Sequence, residues 1–193
     1  MADLGIYSVG HSVHRIDAFV GLLHRHRVEV VTDVRTSPFS RFNPQFNRHV
    51  LEKELEAAGI NYLFLGEELG GRPPGDEFYD HDGHVLYGRL AESPLFRAGL
   101  ARLIQQADRS RVAIMCSEED PAGCHRFILI TRGLRSRGIE VTHIRGNGDA
   151  ESTEEITSFG GWSDPVYEEE SLLDGSLRSS WRSTRPVSPG RRR

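Results

Sequence analysis

The chain has 193 residues, 37% of them hydrophobic and 27% charged, with a net charge of −4 when its nine His are neutral. That composition excludes fibrous, membrane-embedded and wholly disordered classes, and the negative balance supplies no general electrostatic pull towards nucleic acid. The length suits one domain of about 150 residues followed by a tail.

No apolar run approaches the roughly 18 residues of a membrane span. The opening MADLGIYSVGHS lacks the basic start and apolar core of a signal peptide, so the expected setting is the cytoplasm, with no membrane partner. In that setting two Cys only eight positions apart, Cys116 and Cys124, suggest thiol or metal chemistry before a disulfide.

Taken in order, Leu4 to Val9 reads as a first strand closed by Gly10-His11-Ser12, and Asp17 to Arg27 as a short amphipathic helix. Val28 to Val34 is Val-rich and reads as a strand buried on both faces, ending at Asp33 and Arg35. TSPFSRFNPQFN, with two Pro and with Phe39, Phe42 and Phe46, reads as a loop with anchors. Arg48 to Ala58 follows as a helix that Gly59 stops, then Ile60 to Leu65 as a third strand. Gly70 to Gly75 breaks the pattern, and Asp76 to Glu92 shows no periodicity, as in a lid or binding loop.

Pro94 to Ala107 returns to helical spacing. A fourth strand, Val112 to Met115, then runs straight into Cys116, Ser117, Glu118, Glu119 and Asp120. Cys124, His125 and Arg126 follow and open a helix that ends at Gly138, and Ile139 to Ile144 is a last strand. A strand, a polar turn and a helix start in that order are where α/β proteins bind anions. The whole order predicts an α/β fold: three layers, a mostly parallel sheet with helices on both faces, Rossmann-like in the broad sense. A single domain is expected over residues 1–147. Residues 148–193 are expected to be a disordered tail, acidic from Asp149 to Asp174, with six Arg and no carboxylate from Arg178 onwards; Trp162 and Trp181 are candidates to dock back.

In an open α/β sheet ligands bind beyond the carboxyl ends of the strands. Polar residues collect at those ends, which predicts catalytic roles for His11, Asp33, Cys116, Glu118 and His125. Ser12, Arg35, Ser40, Arg41, Gly70, Gly71, Arg72 and Arg126 are then the anion-binding set, because guanidinium groups match phosphate and carboxylate. No pair has C-x-x-C or H-x-x-x-H spacing, so the pattern assigns no metal ligands. There is no GxGxxG, GxxxxGK[ST] or GxSxG, and hence no organic cofactor motif.

Four blocks, SVGHS, VTDVRTSPFSRFNPQFN, GINYLFLGEELGGR and MCSEEDPAGCHR, together resemble the signature blocks of the domain-of-unknown-function family 488, over about residues 6–145. The resemblance implies a compact α/β protein with these blocks at strand ends, and it carries over no activity. The DVR and strand-Cys blocks also resemble rhodanese-like domains, although there the loop returns to Arg about five residues after the Cys and here it takes ten. The leading expectation is a hydrolase or group transferase acting on a phosphate-bearing substrate, a nucleotide or nucleic acid. The alternatives are rhodanese-like or phosphatase-like thiol chemistry at Cys116, and a non-enzymatic module that binds nucleic acid or protein.

Overall fold

The computed structural model describes residues 5–160 and 181–187. Its elements run β1 (Ile6–Gly10), α1 (Ile16–Arg25), β2 (Val30–Asp33), α2 (Arg48–Ala57), β3 (Asn61–Phe64), α3 (Gly66–Leu69), α4 (Tyr87–Glu92) and α5 (Pro94–Ala107). Then come β4 (Val112–Cys116), a π-helical turn (Arg126–Thr131) continuing into α6 (Arg132–Arg135), β5 (Thr142–Ile144), β6 (Ala150–Ser152) and α7 (Thr153–Gly160). The six strands form one sheet in the order β3-β2-β4-β1-β5-β6; β1 to β5 are parallel and β6 pairs antiparallel with β5. The expected three-layer α/β architecture with a mostly parallel sheet is therefore present.

The two layers of helices follow from the period of two along each strand. On β4, Val112 and Ile114 join Phe96, Leu100, Leu103, Phe127 and Ile128 on one face. Ala113 and Met115 face Phe19 and Leu23 of α1 and Leu51 and Leu55 of α2 on the other. All of β2 and β4 is buried, as central parallel strands require. Ser93 caps α5 by accepting a hydrogen bond from the Phe96 amide, with Pro94 in the first turn.

The chain departs from the expected pattern at a short α3 after β3, at a last parallel strand that begins at Thr142 rather than Ile139, and in the following places. Asp76 to Glu92 is not a plain loop: it holds a 3-10 turn at Asp76–Phe78, a bridge between Tyr79 and Val85, and α4. The helix after His125 begins as a π turn, in which the Thr131 hydroxyl donates to the Arg126 carbonyl. Beyond residue 147, where a disordered tail with Trp181 docking back is expected, the described residues include β6, α7 and the segment 181–187. There the Trp181 indole donates to the Ile128 carbonyl at 2.8 Å beneath the Arg132 guanidinium, and Ser183 hydrogen-bonds Val85. Trp162 and the rest of the expected tail, residues 161–180 and 188–193, lie outside the described residues.

Candidate active site

Because β1 to β5 are parallel, their carboxyl ends share one edge, and β1 and β4 are neighbours with Gly10 opposite Cys116. The chain leaving β1 heads for the face covered by α1, while the chain leaving β4 heads for the opposite face, so ligands are favoured where the two diverge. The two loops stay paired past the strands, His11 N to Cys116 O and Ser12 N to Ser117 O, both 2.9 Å. Gly10 permits this closeness: a Cβ there would sit 1.8 Å from the Glu118 carbonyl oxygen. Ser12 takes a left-handed conformation, φ 46°, to make the turn.

Four sequence-predicted or neighbouring residues form a closed ion-pair network. Arg35 donates to both oxygens of Asp33, at 2.9 and 2.6 Å, and to the Phe46 carbonyl at 2.8 Å. A third guanidinium nitrogen lies 3.1 Å from His11 Nε2. The Tyr62 hydroxyl donates to Asp33 at 2.8 Å. Burial first, and then the Arg35 charge, lower the His11 pKa to about 4, so the ring is neutral and accepts from Arg35. It stacks on Phe46, centroid to centroid 4.2 Å. Burial, helped by Asp33, raises the Tyr62 pKa and keeps its proton on. With Asp33 and Arg35 buried and mutually committed, this group fastens the β2 end to the Phe46 loop.

The second group is organised differently. Cys116 Sγ lies 3.7 Å from His125 Nδ1, and Cys124 Sγ lies 3.8 Å from the same nitrogen. The other ring nitrogen of His125 donates to the Val34 carbonyl at 3.0 Å, which aims Nδ1 at the two sulfurs. Gly71 lies under the ring, where a Cβ would come within 2.6 Å of Cγ. A hydrogen bond from the Cys124 thiol, with the His125 and Arg126 charges, lowers the Cys116 pKa well below the usual thiol range against the effect of burial. Burial and the Cys116 neighbour push Cys124 the other way. Burial opposes a charge on His125, but Cys116 and the Val34 carbonyl outweigh it and raise its pKa.

Arg126 is fully buried, and its guanidinium donates to the Glu118 and Glu119 carbonyls, the latter at 2.6 Å. Its Nε finds no hydrogen-bond partner among the described residues. Burying a cation on neutral carbonyls is costly unless an anion lies near. Cys116, whose titration Arg126 depresses, is such an anion when ionised.

The remaining predicted residues are dispersed. Ser40 accepts from the Phe42 and Asn43 amides and shapes its own loop. Arg41 is exposed over the Phe42 ring, and Arg72 is exposed, its amide donating to the Thr36 hydroxyl. Phe46 is core, while Phe39 and Phe42 are exposed. Gly70 lies where a Cβ would meet the Gly66 carbonyl and the Thr36 hydroxyl, so its role is close backbone approach. The Glu118 side chain is exposed, though it weighs on the titration of Tyr87, Cys124 and His125.

Three residues that the sequence reading did not place in the site belong to it. Cys124 is signalled by its adjacency to His125; Tyr62 and Arg145 come from distant strand ends that no local pattern links. Arg145 pairs with Glu119 at 2.9 Å and Glu151 at 2.7 Å beside an open pocket of about 440 Å³ that Ser12 and His14 also line. That pairing lowers the Glu119 pKa to about 2.

Among the described residues, Cys116, Cys124 and His125 are the group able to hold a metal ion, with their three donor atoms within 4.8 Å of one another. Two sulfurs and one nitrogen suit a thiophilic cation such as zinc.

A sequence model described as Domain of unknown function DUF488 matches residues 15–132, which takes in three of the four blocks, all but SVGHS. The chain belongs to the DUF488 family. No curated protein and no solved structure matches it. The DUF488 match includes the Asp33–Arg35 pair and all of Cys116, Cys124, His125 and Arg126; His11 and Ser12 fall before residues 15–132, and Arg145, Glu151 and Arg182 fall after them.

Proposed function

We propose that this DUF488 protein is a hydrolase or group transferase that works through the Cys116 thiol, in the rhodanese-like manner, and that it does so in the cytoplasm. The observation that carries the reading is the Cys116–His125 contact at the carboxyl end of β4, backed by the buried Arg126 cation. A thiolate beside a protonated imidazole and a guanidinium is the activated form of a nucleophilic Cys. Cytoplasmic reducing conditions keep such thiols free.

In this reading Cys116 Sγ attacks an electrophilic atom of the substrate, and the bond to the leaving group breaks with its electron pair. His125 Nδ1 holds the thiol proton and returns it to the departing group. Attack by water, or by a second acceptor, on the Cys116 adduct then restores the thiolate.

Geometry argues against a polyphosphate as the group attacked. Arg35 and Arg126 direct their guanidinium nitrogens at Asp33, Phe46, Glu118 and Glu119, which leaves only Arg41 and Arg72 of the expected cations outward-facing. The carbonyls at 118 and 119, which an anion-cradling loop would replace by amides, are turned inwards. A small anion with one electrophilic centre, such as a sulfane-sulfur donor, fits a site with so few free cations better.

The test is a turnover screen with sulfane-sulfur donors, thioesters, phosphate monoesters and nucleotides, scored by intact mass for a covalent adduct. Turnover with an adduct on Cys116, and loss of about 10³-fold or more in Cys116→Ser, is expected. Turnover in Cys116→Ser within a few-fold of the wild type would reject the reading.

A further inference from the structure

The two sulfurs and the imidazole nitrogen that meet at the end of β4 have the spacing of metal donors. A tetrahedral zinc with Zn–S of about 2.3 Å and Zn–N of about 2.0–2.1 Å sets its S···N separations near 3.6 Å and its S···S separation near 3.8 Å. The observed Sγ···Nδ1 separations are 3.7 and 3.8 Å, and no two donor atoms are more than 4.8 Å apart. Little movement is needed to bring all three onto one ion.

The surroundings match as well. A metal-bound His usually donates its other ring N–H to a carbonyl or carboxylate, which fixes the tautomer and the ring plane. His125 does so to Val34 at 3.0 Å, and Gly71 underneath leaves the ring no room for a residue with a Cβ. Both Cys are free and buried, Cys124 completely. Arg126 adds a buried positive charge whose influence reaches Cys116, which favours sulfur in its anionic, metal-binding form.

We infer that Cys116, Cys124 and His125 bind a zinc ion, with water in the fourth position, and that zinc switches off the thiol chemistry proposed above. This inference rests on that reading of Cys116: a thiolate whose charge is shared with the metal is a much weaker nucleophile than the free thiolate, so zinc occupancy suppresses attack on a substrate. The ligand class is a thiophilic divalent cation, and calcium or magnesium, which prefer oxygen, are excluded by the donor set.

The experiment uses the full chain, stripped with a chelator under reducing conditions and then titrated with zinc against a chromophoric competitor. One zinc per chain is expected, and cobalt in its place should give the intense thiolate-to-metal absorption of a sulfur-ligated centre. Cys124→Ser and His125→Asn should each weaken zinc binding by about 100-fold or more. In the wild type, free zinc held at about 100 times its dissociation constant should slow iodoacetamide labelling of Cys116 by about 100-fold, and chelator should restore it.

Rapid labelling that zinc leaves unchanged, with no stoichiometric zinc or cobalt spectrum, overturns this inference and leaves the thiol reading standing. A Cys116 that is unreactive even in the stripped protein overturns the thiol reading and with it the switch. Zinc and cobalt results would still decide the metal centre in that case, since they need no activity.

Discussion

His125 Nδ1 stands 3.7 Å from Cys116 Sγ while its Nε2 donates to the Val34 carbonyl of the neighbouring strand end. The π turn that follows His125 and the close approach of Gly71 hold the ring in that position. Gly71→Ala should therefore harm the site more than the fold. Its Cβ would press on Cγ at 2.6 Å, and we expect a stability loss of about 1–3 kcal/mol by thermal denaturation with a larger proportional loss of Cys116 reactivity. Equal Cys116 labelling rates in variant and wild type would remove Gly71 from the account.

Asp33 and Arg35 predict a structural phenotype. Asp33→Ala leaves a buried guanidinium without its carboxylate, at a cost of about 3–5 kcal/mol in urea denaturation. Tyr62→Phe removes one of several donors to Asp33 and should cost about 1 kcal/mol. Were Asp33 instead a catalytic base with little structural role, Asp33→Ala would keep near-native stability.

Acid should destabilise the fold before any carboxylate network fails. His11 has a pKa of about 4 and His143, which is buried against Ser8 and Thr153, one of about 3, both lowered first by burial. In the unfolded chain each titrates near 6.5, so the unfolded state binds more protons as pH falls. The stability they contribute is complete above pH 6.5 and drains below it, by about 2–3 kcal/mol per His between pH 7 and pH 4.5. His125, with a raised pKa, loses its contribution in the opposite direction, as pH rises above 6.5. Urea midpoints at the two pH values check this, and a His143→Gln variant should show a flatter slope.

The segment at 181–187 should matter to the site. Trp181 satisfies the Ile128 carbonyl and underlies Arg132, while Arg182 pairs with Asp80 at 2.8 Å. Trp181→Ala should cost about 2 kcal/mol in thermal denaturation. A melting temperature equal to that of the wild type would show that the segment does not brace the π turn.

Much of the fold was legible because parallel strands and amphipathic helices leave local signatures. Pro94–Ala107 matches its expected helix, and β4 begins at the expected residue and ends one residue later, at Cys116. β6 and α7 were missed because a three-residue edge strand and an eight-residue helix are too short a window for a period to be read. At the site the sequence located the right strand ends but not who is paired with whom. Arg35 reads as an anion ligand until Asp33 and the Phe46 carbonyl are seen to occupy its donors. The two Cys suggest metal chemistry from sequence, but the ligand set does not emerge for a similar reason: seven residues separate Cys116 from Cys124, and only the fold of that loop returns the second sulfur to the first.

The most direct test of the central claim is brief iodoacetamide labelling of the zinc-free, folded protein at neutral pH, with the adduct located by peptide mass mapping. One adduct is expected, on Cys116, formed faster than on the same thiol in the urea-unfolded chain, with Cys124 unlabelled. Labelling of neither Cys until the protein unfolds, or of Cys124 ahead of Cys116, would contradict that claim.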